Sequence, residues 1–207
     1  MMRAETTTGL RRILSLPTVY EAYDALVGTR AVRRAFARQY VRPVPGAKVL
    51  DLGCGPARML EHLSSVTYTG VDISRAYVEA ARARYGARGT FLLGSVTEVD
   101  LGREHSFDVV VAFGLLHHVD DATAREVVSR VKSVLKPEGR FVTLDPCFVE
   151  NQNIVARWLH RMDRGNHVRD VEGYLRLVRA VFGSITHDVR HDLHVIPSTT
   201  LIMTCLP

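Results

Sequence analysis

The sequence predicts an α/β protein, an open and mainly parallel sheet with helices on both faces. Three observations predict it. Short apolar runs alternate with amphipathic segments of helical period between residues 47 and 145. One run, FDVVVAF (107–113), is apolar almost throughout, as a central strand covered on both faces must be. The first run ends in VLDLGCGPA (49–57), where an acid and two closely spaced glycines force a tight turn at a strand's C-terminal end.

The elements follow in order. Residues 17–42 read as helical, with Pro17 in the first turn and an apolar stripe through Val19, Tyr20, Tyr23, Leu26 and Val27. Gly28 breaks this segment, and Pro43, Pro45 and Gly46 end it. Strands are expected at 47–52, 67–72, 90–95, 107–113 and 140–145. The segments between them supply helices at 57–64, 74–85 and 123–135. Thr123 and Glu126 have capping-box spacing, and Pro137 and Gly139 close the third of these helices. Such βαβ units cross over right-handedly, so their strands lie parallel. VEGYLRLVRAVF (171–182) is an amphipathic helix. The last two strand candidates, 184–193 and 199–206, are joined too closely for a crossover, which predicts an antiparallel hairpin.

At 207 residues the chain reads as one domain: an N-terminal helical cap (1–45), a core (46–146), an insertion and helix (147–183) and the closing hairpin (184–207). No apolar run approaches the ~20 residues of a membrane span, and the N-terminus lacks the apolar core of a signal peptide. A cytoplasmic protein is expected. Three widely spaced cysteines, Cys54, Cys147 and Cys205, fit neither a disulfide framework nor a metal site. The net charge of +5 comes almost wholly from arginines spread along the chain, which suits a solvated basic surface. Nucleic acid as a partner calls for a clustered face and a binding module, and neither is evident.

The glycines carry the functional argument. Ligands of open α/β sheets sit beyond the C-terminal strand ends. Gly53 and Gly55 lie at such an end, and each tolerates positive φ and lets a ligand press against bare backbone. A dinucleotide fingerprint needs a third small residue where Arg58 stands, and Pro56 removes a backbone donor from the helix start. A nicotinamide cofactor therefore fits poorly. Asp72 ends the second strand nineteen positions after Gly53, where a carboxylate can accept both ribose hydroxyls.

VLDLGCGPA, GVDIS, FDVVVAFGLLHHV and LKPEGRFVTLD stand in the order and at the spacing of the motifs of class I S-adenosylmethionine-dependent methyltransferases. The chain resembles that family strongly over residues 45–146, and more narrowly resembles small bacterial enzymes acting on metabolites. The resemblance implies a Rossmann-like sheet of seven strands in the order 3-2-1-4-5-7-6, with strand 7 antiparallel. It implies S-adenosyl-L-methionine as cofactor and S-adenosyl-L-homocysteine as product. Asp51, Gly53 and Gly55 would line the methionine moiety. Asp72 would hold the ribose and Ile73 pack on adenine. Phe113 and Gly114 would lie beside the transferable methyl. Where the family often carries an acid for the adenine amino group, Ser95 and Val96 stand instead.

The expected reaction is in-line methyl transfer to the oxygen or nitrogen of a small molecule, driven by orientation and water exclusion. A general base is needed only for a poor nucleophile. His117 and Asp145, at strand ends facing the site, are the candidates for catalysis. Tyr20, Tyr23, His117, Arg164 and His167 are candidates for substrate contact, with Arg161 and Arg169 beside them suited to an acidic group on the substrate. The tyrosines suit a plain core stripe equally well. Trp158 is expected to be a packing anchor. Cys147 follows the fifth strand rather than the fourth, which does not suit the nucleophile of cytosine methylation. A monomer or homodimer is expected. The competing readings are an RNA or protein methyltransferase, which the basic charge favours, and a non-catalytic cofactor-binding subunit.

Overall fold

A computed structural model describes residues 29–163 and 165–207. Tyr20, Tyr23 and Arg164 lie outside the described residues. The first described element is α1 (Thr29–Phe36), continued by a wide π-type turn (Ala37–Val41). Then come β1 (Lys48–Leu52), a 3₁₀ turn (Arg58–His62), β2 (Thr67–Asp72), α2 (Arg75–Tyr85), β3 (Gly89–Leu93) and β4 (Phe107–Phe113). A short 3₁₀ turn (Leu116–His118) leads to α3 (Asp121–Val134) and β5 (Leu135–Phe148). The rest is α4 (Ile154–Arg161), a two-residue β6 (Arg169–Asp170), α5 (Val171–Arg179), β7 (Ser184–Arg190) and β8 (Thr200–Leu206).

The sheet runs β3-β2-β1-β4-β5-β8-β7, with β6 pairing only to the end of β5. With that short bridge set aside, the order is the 3-2-1-4-5-7-6 expected from the sequence. Strands β1 to β5 pair in parallel, and β8 lies antiparallel to both its neighbours. Alternation along the central strands divides the core in two. Leu50, Leu52, Val110 and Phe141 face α3 and α5, whereas Val49, Val109, Val111 and Val142 face α1, α2 and the first 3₁₀ turn. Helix α1 belongs to that second core through Val32 and Phe36, both essentially solvent-free. Residues 29–41 of the expected cap are thus part of the core packing.

Polar groups at the lower edge tie the layers together. Asp108 accepts from the Lys48 backbone N–H at 2.8 Å and from Lys136 Nζ at 2.6 Å, joining β1, β4 and β5. The Arg140 guanidinium donates to the Val41 and Arg42 carbonyls at 2.6 Å each, capping the end of the first helical segment with a cation.

Local chemistry adjusts several sequence expectations. The N-cap of α3 is Asp120, whose side chain accepts from the Thr123 backbone at 2.8 Å. The helix starts before the expected capping box because Asp120 supplies the stronger acceptor. Helix α3 ends at Val134, and the chain passes directly into β5, which is longer than the expected 140–145 and contains Pro137 and Gly139. Proline is tolerated there because the register with β4 breaks between Phe107 and Val109, so its missing N–H interrupts no regular ladder. The segment expected as a helix at 57–64 is only the 3₁₀ turn.

One buried polar pair lies inside the sheet. The Tyr68 hydroxyl donates to Asp51 Oδ2 at 2.6 Å across the β1–β2 pair. Burial raises the Asp51 carboxyl to about 7, the Tyr68 hydrogen bond and the Arg33 charge opposing it. A carboxyl raised in the folded state contributes stability below its unfolded value, and that contribution is lost as pH rises through the folded one. Denaturant titrations of Asp51→Asn and wild type should therefore diverge with pH, the wild type losing ground between about 4 and about 7. A pH-independent difference would remove Asp51 as a titrating buried acid. Leu50→Ala, at a fully buried position, should cost about 2–5 kcal/mol of unfolding free energy in the same titration.

Candidate active site

The upper edge of the sheet collects the carboxyl ends of β1, β2, β4 and β5. After β1 the chain turns through Gly53 (φ +65), Gly55 (φ +54) and Ala57 (φ +56), alternate residues in the left-handed region. A Cβ built on Gly53 would come within 3.0 Å of Leu115 Cδ1, so a side chain there would strain both the backbone and the packing. A Cβ on Gly55 would meet nothing within 4 Å, so its face of the turn is open. Arg58, at the position of a third glycine, opens the 3₁₀ turn and pairs with Glu61 at 2.9 Å.

Asp72 ends β2 beside this turn. Its Oδ2 accepts from the Gly55 backbone N–H at 2.8 Å, and its Oδ1 accepts from the Ser74 backbone N–H at 2.7 Å. Ser74 then caps α2 through its own hydroxyl. One carboxylate is thereby fixed against the glycine turn. The next residue, Ile73, is 53% exposed, an apolar side chain left uncovered at the site's rim.

The turn after β3 contributes Ser95 and Val96, both buried. The Ser95 hydroxyl accepts from the Thr97 backbone N–H at 3.2 Å and lies 2.7 Å from the Thr97 hydroxyl. Arg130 of α3 donates to the Val96 carbonyl at 2.8 Å and to that of Val99 at 2.7 Å, holding this turn in place. After β4, Phe113 stands edge-on to Phe36, with ring centroids 5.5 Å apart, and the Arg33 guanidinium lies over the Phe113 ring. Gly114 follows with φ +70, its N–H donating to the Leu144 carbonyl at 2.7 Å.

The residues singled out for acceptor chemistry are distributed unevenly. His117 and Asp145 are together and buried, with Nδ1 2.8 Å from Asp145 Oδ1. The second ring nitrogen, Nε2, lies 3.4 Å from Asp163, a residue that the sequence reading did not single out. Both nitrogens face carboxylates, so the ring has no lone pair free for an acceptor. Asp145 Oδ2 is buried without a hydrogen-bond partner among the described residues. Burial raises the Asp145 carboxyl, while His117 acts against the shift. His167 has an exposed side chain and is held by its backbone N–H, which donates to the His117 carbonyl at 3.0 Å. Arg169 is occupied with the Leu116, His167 and Val119 carbonyls and with Asp121. Trp158 is 59% exposed on the outer face of α4, since the helix turns Ala156 and His160 inward instead. Cys147 is buried, and desolvation pushes its thiol up to about 12, far from a nucleophilic thiolate.

An Asp-clasped glycine turn, an uncovered apolar residue beside it and a positive-φ glycine after β4 lie at the ends of the neighbouring strands β1, β2 and β4. These residues fit S-adenosylmethionine. Asp72 has acceptors for two hydroxyls, Ile73 offers a flat apolar contact, and Gly55 leaves open space where a larger residue would stand. Residues 49–139 match the family described as "Methyltransferase domain". The chain is 31% identical over 147 residues to the O-methyltransferase cnsE of Penicillium expansum, covering 64% of this chain and 50% of that protein. It is 31% identical to a ubiquinone biosynthesis O-methyltransferase of Xanthomonas axonopodis pv. citri, covering 53% and 46% respectively. The chain thus spans about half the length of the curated relatives it matches. Among solved structures, the Haemonchus contortus phosphoethanolamine N-methyltransferase 2 superposes with a TM-score of 0.77 at 15% identity, covering 96% of this chain and 59% of that one. Residues 49–139 thus match a methyltransferase domain, and the motif order and sheet order are those of the class I S-adenosylmethionine-dependent methyltransferase fold.

Proposed function

We propose that the protein binds S-adenosylmethionine along the upper sheet edge and transfers its methyl group to an oxygen of a small-molecule acceptor. The clasp on Asp72 carries the cofactor half of this reading. Two backbone N–H groups hold the carboxylate in one orientation before any ligand arrives, so the ribose hydroxyls meet a preorganised acceptor. Gly53 and Gly55 admit the methionine moiety against the backbone, with Asp51 beneath them. Ile73 supports one adenine face, and the Ser95–Val96 turn borders its edge. Phe113 and Gly114 flank the place where the reacting carbon sits.

When bound, the cofactor supplies a sulfonium methyl that is electrophilic without further activation. The protein's task is then to align an acceptor in line with it and keep water out. Orientation of this kind is worth up to roughly 7–11 kcal/mol in favourable cases. Oxygen as the accepting atom is supported by the O-methyltransferase names of the curated relatives. The acceptor side in this reading is bounded by His117, Asp145 and His167; the other candidates, Tyr20, Tyr23 and Arg164, lie outside the described residues. Arg161 and Arg164 would favour an acceptor carrying an acidic group.

One observation supports a macromolecular acceptor instead. Arg30, Arg34 and Arg38 repeat at one-turn spacing along the first helical segment and line a groove of about 900 Å³ with His62. Three arginines against the single acid Glu61 among the lining residues make the groove electropositive. Among the described residues no helix is long and apolar enough to cross a membrane.

Two measurements test the proposal. By isothermal calorimetry, Asp72→Ala should weaken S-adenosylhomocysteine binding at least tenfold, about 1.4 kcal/mol, and an unchanged affinity would overturn the ribose assignment. Supplied with methyl-labelled cofactor, the protein should label a small-molecule extract and leave total RNA and total protein unlabelled. Label in RNA or protein would replace the proposed acceptor class. Cofactor binding with no label in any fraction would point to a non-catalytic subunit.

A further inference from the structure

Asp163 lies in the insertion between β5 and β6, forty-six residues after His117 in sequence, yet it meets the same imidazole as Asp145. The ring is gripped on two sides by glycines. A Cβ on Gly165 would lie 2.0 Å from His117 Cδ2, and one on Gly114 would lie 3.5 Å from His117 Cε1. Any side chain at Gly165 would expel the ring. Asp163 Oδ1 is itself oriented by the Gly165 backbone N–H at 2.7 Å, and the His167 N–H donates to the His117 carbonyl at 3.0 Å. On its other side His117 is fixed twice to Asp145 Oδ1, through Nδ1 at 2.8 Å and through its backbone N–H at 3.1 Å.

We infer that Asp163 is a positioning residue: through His117 it fastens the insertion to the loop after β4 and so fixes the wall of the acceptor pocket beside Gly114. As a statement about the pocket, this rests on the methyl-transfer reading, while the fastening itself is independent of it. A neutral imidazole has one N–H and can donate to only one of the two carboxylates, whereas the imidazolium donates to both. The fastening therefore depends on the ring's charge.

Electrostatics agree with the geometry. Burial disfavours the charge on His117, but the hydrogen bonds to Asp145 and Asp163 outweigh it and raise the ring to about 9. Asp163 is held near 2 against its burial, chiefly by His117. The other charged or titratable groups nearby are His118, whose ring centroid lies 4.1 Å away, His160, which His117 disfavours in its charged form, and Arg169, which faces the Leu116 and Val119 carbonyls. Because His117 is raised above its unfolded value of 6.5, its contribution is complete below that pH and is lost as pH rises through about 9. Asp163 is lowered below its unfolded value of 3.8, so its contribution is complete above that and fails only as pH falls through about 2. Arg169 donates to the Leu116 and Val119 carbonyls, so loosening is confined to the stretch around Asp163, Gly165 and His167.

The test uses the full chain as wild type, Asp163→Asn and Asp163→Glu. The His117 ring signal, assigned by its loss in His117→Asn, is titrated by NMR, and amide exchange at His167 is corrected for its intrinsic pH dependence. His167 is the reporter because its amide bonds to His117 and not to Asp163. The wild-type ring should titrate above pH 8. Asp163→Asn should lower that midpoint by at least one pH unit and raise His167 exchange at least tenfold. Asp163→Glu should recover part of both, and S-adenosylhomocysteine affinity should stay within twofold throughout. A wild-type midpoint near 6.5, or an Asp163→Asn variant with unchanged midpoint and exchange, overturns the inference. Failure of the wild type to bind S-adenosylhomocysteine would instead overturn the methyl-transfer reading, with the fastening still decided by the two spectroscopic measurements.

Discussion

A sheet covered on both faces leaves its central strands no room for charged side chains except near their ends, and the placement of the site follows from that constraint. Val109, Val110, Val111 and Ala112 are all essentially without solvent contact. A charge within that run would face a desolvation cost of several kcal/mol with no partner to offset it. The chemistry is accordingly displaced to the last residues of each strand. Asp72 is the final residue of β2, Phe113 of β4, and Asp145 lies three residues from the end of β5. Asp51, one residue short of the end of β1, shows the cost of sitting further in: it needs Tyr68 as a partner and has a strongly raised carboxyl.

The two halves of the site obey different physics. The cofactor half is built largely from backbone, since Gly55 N–H and Ser74 N–H set the position of Asp72, and Arg130 sets the turn after β3 through its carbonyls. Such a site tolerates side-chain change as long as the turns are preserved. In the proposed reading the acceptor half comes from side chains of segments remote in sequence, held by His117 and Arg169. Those segments are where members of one fold can differ without disturbing the sheet.

This division also explains what could be read from the sequence. Gly53, Gly55 and Asp72 are legible because a tight turn and a strand-end carboxylate leave local signatures, and the structure places them side by side. The strand order follows from the alternating pattern and the resemblance together. Thr123 and Glu126 carry the capping-box spacing in the sequence, yet Asp120, the stronger acceptor three residues before Thr123, takes the N-cap position. Trp158 read as an anchor because its bulk favours burial, but helical phase is set by Ala156 and His160. Asp163 carries only the faint mark of an acid two residues before a glycine, the spacing at which its side chain accepts from the Gly165 N–H. Nothing local announces that its partner is His117, because that contact exists only once the insertion has folded back.

The Arg140 cap has a consequence for the order in which the molecule assembles. The bond from Arg140 to the Val41 carbonyl closes a loop of 99 residues. During synthesis α1 and the turn after it emerge long before β5, so the Val41 and Arg42 carbonyls must wait for most of the sheet. The turn after α1, made early in the chain, is thus among the last to find its final partner. A newly made chain stalled before β5 would leave the Val41 and Arg42 carbonyls without the guanidinium that caps them.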